Sequence, residues 1–119
     1  MSLVARYLEA NGMPTVIIGS ARDIVESAAV ARFLFVDFPL GNPCGKPWDA
    51  PMQRRIVTHG LSLFESVDTP MTTVTSTESW GDDDWKVRYM EINDGNRAEL
   101  ARKGEELRER RARREQRAE

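Results

Sequence analysis

The one thiol of the chain, Cys44, sits in the stretch VDFPLGNPCGKP at residues 36–47, among three prolines and two glycines. A reactive thiol needs its pKa lowered by a helix N-terminus or a nearby cation. Lys46 stands two residues on, and a helix expected from Pro51 would point its positive end back toward the loop. The other reading of Cys44 is an idle, semi-buried thiol. Cys44 and the single histidine, His59, make a poor zinc site, because structural zinc takes about four N, S or O ligands. Histidine titrates near neutrality and serves widely as a general base, so His59 is a candidate for that role. Its plainer reading is a polar residue at the boundary of a helix.

Three further groups could bind a ligand. Ser20, Arg22 and Asp23 follow an apolar run that reads as a strand, and ligands of open α/β sheets bind beyond the carboxyl ends of strands. Arg22 could hold a carboxylate; the alternative is an ordinary helix start, with Ser20 as its cap and Arg22 solvated. The Asp37-to-Pro47 loop lies past a second strand on the same edge. Pro39, Pro43 and Pro47 stiffen it, Gly41 and Gly45 allow tight turns, and Asp37 and Asn42 offer hydrogen bonds. It is either the rim of a site or a covering loop. Arg54 and Arg55 open a third helix, where cations are unfavourable for the helix alone. They suit a carboxylate of a substrate or a partner, or form a solvated face. No GxGxxG stands after a strand, so no nucleotide cofactor is indicated. Asp82, Asp83 and Asp84 are consecutive, so their side chains diverge and suit a metal poorly; the flanking Trp80 and Trp85 read as packing anchors.

The elements that would position these groups follow from periodicity. Leu3, Val4, Tyr7 and Leu8 share one helical face within SLVARYLEAN, and Gly12 stops that helix. MPTVIIG reads as a buried strand, ARDIVESAAV as a helix and RFLFVDF as a second strand. Together they make a parallel βαβ unit, for which a right-handed crossover is expected. A helix from about Pro51 to Ser66 would use Met52, Ile56, Leu63 and Phe64 as its apolar face, with Gly60 weakening it. Residues 68–83 read as irregular or extended, their threonines favouring a short strand. From Asp84 a helix can run to the end, broken near Asn93-Asp94-Gly95. This divides the chain into a βαβ-α core over 1–67, an irregular Trp-containing segment over 68–96 and a charged helical tail over 97–119. The fold class is α/β, a partial Rossmann-like or flavodoxin-like layer. With two strands and an early first helix, it reads as half of a split domain whose other half comes from another chain.

The net charge of -2 over 119 residues argues against a dedicated nucleic-acid binder. Residues 97–119 carry a net +3, but glutamates interleave the arginines, so an exposed helix or docking arm is the expectation there. No apolar run approaches the ~20 residues of a membrane span, and the N-terminus lacks the pattern of a signal peptide. One cysteine forms no internal disulfide, which fits a reducing cytoplasmic setting.

VARYLEANGMPTVIIGSARDI and RFLFVDFPLGNPCGKPWDAPMQRRIV resemble the selenoprotein B family, the B components of glycine, sarcosine and betaine reductases and the related D-proline reductase subunit. The matching features are Glu9 to Pro14, the strand Val16 to Gly19, Pro39 to Pro43 of the Pro-Leu-Gly-x-Pro loop, the pair Arg54-Arg55 and the Trp80-to-Trp85 patch. The resemblance covers about residues 3–90. The family's redox motif, a selenocysteine or cysteine with a second cysteine, precedes the helix matching Leu3 to Asn11, and this sequence does not contain it. The resemblance therefore implies a split reductase-like enzyme. A companion subunit would carry the nucleophile, and this chain would supply a wall from Ser20 to Asp23, the Asp37-to-Pro47 loop, and Arg54 or Arg55. It implies a small polar, carboxylate-bearing substrate. No cofactor is encoded in this chain, and any Cys, selenocysteine or metal would come from the partner. The competing reading is a noncatalytic stabilising or regulatory subunit.

Overall fold

The computed structural model of the chain describes residues 1–88 and 94–115. Met1–Lys86 forms one compact unit and Val87–Glu119 a second. The first contains α1 (Ser2–Ala10), β1 (Ile17–Gly19), α2 (Arg22–Ser27), β2 (Arg32–Phe35), α3 (Ala50–Ser66) and β3 (Thr72–Thr75), and α4 (Asp84–Arg88) straddles the division. The second contains α5 (Arg97–Glu115). The fold is α/β: three parallel strands in the order β1-β2-β3, with Ile18 opposite Leu34 and Leu34 opposite Val74.

The sheet is organised by the pleat of β2, whose successive side chains point to opposite faces. Phe33 and the half-buried Phe35 point to the α2 face and pack with Val25, Val30 and Ile17. Leu34 and the following Val36 point to the α3 face, where Phe38, Met52, Ile56 and Leu63 complete the larger core. Both sides of β2 are thus dry. With strands in sequential order, two crossovers of one hand would put both helices on one face. Here α2 and α3 lie on opposite faces, so one of the two crossovers is left-handed, against the usual preference for right-handed connections.

The short strand favoured by the threonines of residues 68–83 is present: Thr72-Thr73-Val74-Thr75 pairs with β2 along its whole length. The second helix is shorter than ARDIVESAAV, and its N-cap position is held by Ala21, not Ser20, without a side-chain bond. At α3 the cap is Asp49, whose carboxylate accepts from the Met52 amide at 3.0 Å, with Pro51 in the first turn. The apolar face expected of α1 is turned outward. The helix is anchored through Ala5, Leu8 and Glu9, while Leu3, Val4 and Tyr7 are exposed. Within the second unit, α5 carries the expected i,i+4 ion pairs, including Lys103–Glu99 at 2.6 Å. Among the described residues, no helix is long and apolar enough to cross a membrane. Of the break expected near Asn93-Asp94-Gly95, Asp94 to Asn96 form a turn and Asn93 lies outside the described residues.

Gly60 explains how closely α3 approaches the sheet. A Cβ there would lie 2.8 Å from Cδ1 of Ile18 and 3.7 Å from Leu34. The first of these atoms is the mobile end of a side chain, so Gly60→Ala should change stability by less than about 1 kcal/mol, its repacking offset by better helix propensity. Gly60→Leu should lose about 1–3 kcal/mol through overpacking. Urea unfolding of both variants checks this, and an unperturbed Leu variant would contradict direct seating of α3 on β1.

Candidate functional site

The parallel strands bring three segments to one edge. β1 ends at Gly19, whose carbonyl accepts from the Val36 amide at 2.9 Å, and the Phe35 carbonyl accepts from the Ser76 amide at 2.8 Å. Ser20 to Asp23, the Asp37-to-Pro47 loop and Ser76 to Trp80 therefore meet along the carboxyl ends of the strands, where open α/β sheets bind ligands. The loop is a chain of tight turns: the Asn42 amide donates to the Pro39 carbonyl, Gly45 to Asn42, and Asp49 to Lys46. Gly41 and Gly45 have φ of 96° and 116°. At Gly45 a Cβ would lie 3.3 Å from the Gln53 backbone nitrogen, and the Gln53 side-chain amide donates to the Lys46 carbonyl at 2.7 Å. The loop is thus fused to the start of α3.

The segment from Glu78 to Lys86 lies against that loop. The Trp80 ring stands edge-on to Phe38, with centroids 5.2 Å apart, and the Lys46 ammonium lies 5.5 Å from the Trp80 centroid. Lys86 bonds Asp37 at 2.6 Å and Asp83 at 3.0 Å. Arg55 donates twice to Glu78, at 2.7 and 2.9 Å. These pairs hold Glu78 below the usual carboxylate range and raise Arg55 and Lys86 above their ordinary values. On the opposite face of the sheet, Arg22 donates to Glu26 at 2.9 Å and lies 5.6 Å from the centroid of Phe35. Glu26 is held low first by the Thr73 hydroxyl and then by Arg22.

Each residue expected at a site has a definite place. Ser20 lies at the strand end with its hydroxyl buried and without a hydrogen bond among the described residues. Arg22 reaches the same edge but is engaged by Glu26, and Asp23 is exposed in the first turn of α2. Asp37 is taken by Lys86. Gly41 and Asn42 shape the loop. Arg54 and Arg55 border a shallow hollow of about 430 Å³ with Ala50 and Pro51, and only Arg55 has an ion-pair partner among the described residues. Cys44 is exposed on the loop. His59 lies along the flank of α3, in a hollow with Ser62, Ser66, Thr72 and Val74, rather than with Cys44. Among the described residues no three His, Cys, Asp or Glu side chains converge as a metal site.

Three residues escaped the sequence reading. Glu78 and Lys86 act across long sequence separations that no local pattern reveals. Trp48 is fully exposed at a φ of 65°, a left-handed conformation that costs a tryptophan on the order of 1 kcal/mol. Its signal was available in the proline-flanked run Pro47-Trp48-Asp49-Ala50-Pro51. Comparisons of the chain with family models, curated proteins and solved structures find no match.

The Glu78–Arg55 pair gives a pH dependence of known sign. A carboxylate depressed in the folded state contributes stability above its unfolded pKa of about 4.3, and that contribution is lost as pH falls through the lower folded value. The urea midpoint followed by tryptophan fluorescence should fall in acid. Glu78→Gln should lower the midpoint at pH 7 and narrow the gap between neutral and acid conditions. An unchanged gap would show that Glu78 does not hold the segment.

Proposed function

We propose that this chain is the small subunit of a heteromeric, reductase-like enzyme of the selenoprotein B and D-proline reductase type. It forms one wall of a thiol- or selenol-dependent site whose nucleophile belongs to a companion chain. The observation that carries this reading is the composition of the carboxyl edge. It holds a buried, unpartnered hydroxyl at Ser20, a guanidinium at Arg22 and a rigid loop running from Asp37, whereas the chain's one thiol is exposed on that loop. Such an edge binds and orients. Arg22 can exchange its exposed Glu26 partner for a substrate carboxylate, and the fixed loop forms the rim beside it. The bond-breaking electrons would come from the companion's thiol or selenol pair, in a reducing, cytoplasmic setting.

A second reading is favoured by a specific observation. Arg22, Arg55 and Asp37 are already paired within the chain, with Glu26, Glu78 and Lys86. A noncatalytic subunit that stabilises its partner needs nothing more from them.

Purification of the tagged chain from its source, with mass spectrometry of what accompanies it, separates these readings. The catalytic reading expects a stoichiometric companion with a reactive Cys or selenocysteine, turnover that survives Cys44→Ser, and turnover reduced at least tenfold by Arg22→Ala. Intact turnover with weakened assembly in Arg22→Ala would favour the stabilising subunit. Full turnover by the chain alone would remove both.

A further inference from the structure

Apart from Ile24 on α2, the exposed large apolar side chains on the helices of the compact unit belong to α1 and α3. The anchoring of α1 through Ala5, Leu8 and Glu9 leaves Leu3 75% and Tyr7 69% exposed, with Val4 beside them. On α3, Met52, Ile56, Gly60 and Leu63 face the sheet, and His59, Ser62 and Ser66 face β3, sharing a hollow with Thr72 and Val74. Helical geometry then puts Val57, Leu61 and Phe64 on the flank turned away from β3, toward β1, and all three are exposed. The end of α1 is tied to this flank, because Glu9 accepts from Arg32 at 3.0 Å and the Arg32 guanidinium lies 5.7 Å from the centroid of Phe64. β1 is an edge strand of the sheet.

The two edges are chemically unlike. β3 offers Thr72, Thr73 and Thr75, and β1 offers the half-buried Ile17 and Ile18. Head-to-tail growth would set the apolar edge against the polar one and would not close. We propose that the β1 flank is the interface of a two-fold dimer of this chain, with the β1 strands of two copies side by side and antiparallel in a continuous six-stranded sheet. The area fits. Leu3, Val4, Tyr7, Val57, Leu61 and Phe64 leave on the order of 600 Å² of apolar surface open; with the polar rim of a homodimer this reaches the ~800 Å² per partner of a stable interface. The charges fit as well. Arg54 and Glu65 stand near opposite ends of the α3 stripe, about 16 Å apart along the axis, and neither has an ion pair among the described residues. A two-fold axis reverses the partner helix, so each Arg54 is brought toward Glu65 of the other copy.

Sedimentation velocity of the full chain between about 1 and 100 µM tests this. The wild type is expected to be a dimer at the upper concentrations. Leu61→Asp, at a solvent-facing position, should raise the dissociation constant at least tenfold with an unchanged circular dichroism spectrum. Arg54→Glu should weaken the dimer, and adding Glu65→Arg should restore it. A monomer at 100 µM overturns the proposal, as does a dimer indifferent to Leu61→Asp or a double charge reversal no tighter than the single one. A chain that stays monomeric alone and loses a companion through Leu61→Asp would assign the flank to that companion and equally overturn it.

Discussion

The alternation of side chains along β2 is the constraint on which the rest depends. Phe33 and Leu34 are adjacent in sequence, point to opposite faces and are both almost completely buried. That requires cover on both sides of a sheet of only three strands, and the chain supplies one crossover helix to each face. The reversed hand of one crossover is the geometric consequence. It leaves the centre of β2 enclosed and the two outer strands half covered, so the chemistry of those strands decides what happens at each edge. Threonines let β3 meet water. Ile17, Ile18 and the outward faces of α1 and α3 give β1 a surface better suited to another protein than to solvent.

Much of this architecture was legible. Met13 to Gly19 and Arg32 to Phe38 read as strands because continuous β-branched and aromatic runs mark parallel, doubly covered strands, and the observed strands are the shorter Ile17–Gly19 and Arg32–Phe35 within them. The start of α3 was close to the observed one because proline fixes the first turn, although its cap, Asp49, was not singled out. The misses share a cause. The threonines of residues 68–83 did favour a short strand, but its bounds were not legible, because among Thr72–Thr75 only Val74 turns an apolar side chain to the core. Of the apolar face expected of α1, Leu3, Val4 and Tyr7 point outward while Leu8 lies on the anchored side with Ala5, because periodicity shows that a helix has a face and not which way it is turned. That α2 and α3 take opposite faces of the sheet is settled by packing across all three strands, which is invisible in a local window.

The candidate site shows the same division. The sequence placed Ser20, Arg22 and the Asp37 loop at one edge, and parallel pairing puts them there. It could not show that Glu78 and Lys86 come back from beyond β3 to engage Arg55 and Asp37. These contacts change the chemistry of the edge. Arg22, Arg55 and Asp37, which looked available, are engaged, and they are exposed enough that a competing ion or raised salt can release them. The loop itself is different, being held by backbone turns and by Gly45 against Gln53, so it remains a fixed rim whatever the ion pairs do.

If the β1 flank is stabilised by association, folding and association are linked, and stability must depend on protein concentration. Urea unfolding of the full chain over a hundredfold range of concentration measures this directly. The midpoint should rise steadily with concentration, and the unfolding transition should follow a law of mass action for two chains. A single cooperative transition with a midpoint fixed across the range would show that the three-stranded sheet is sufficient by itself, and would contradict the account.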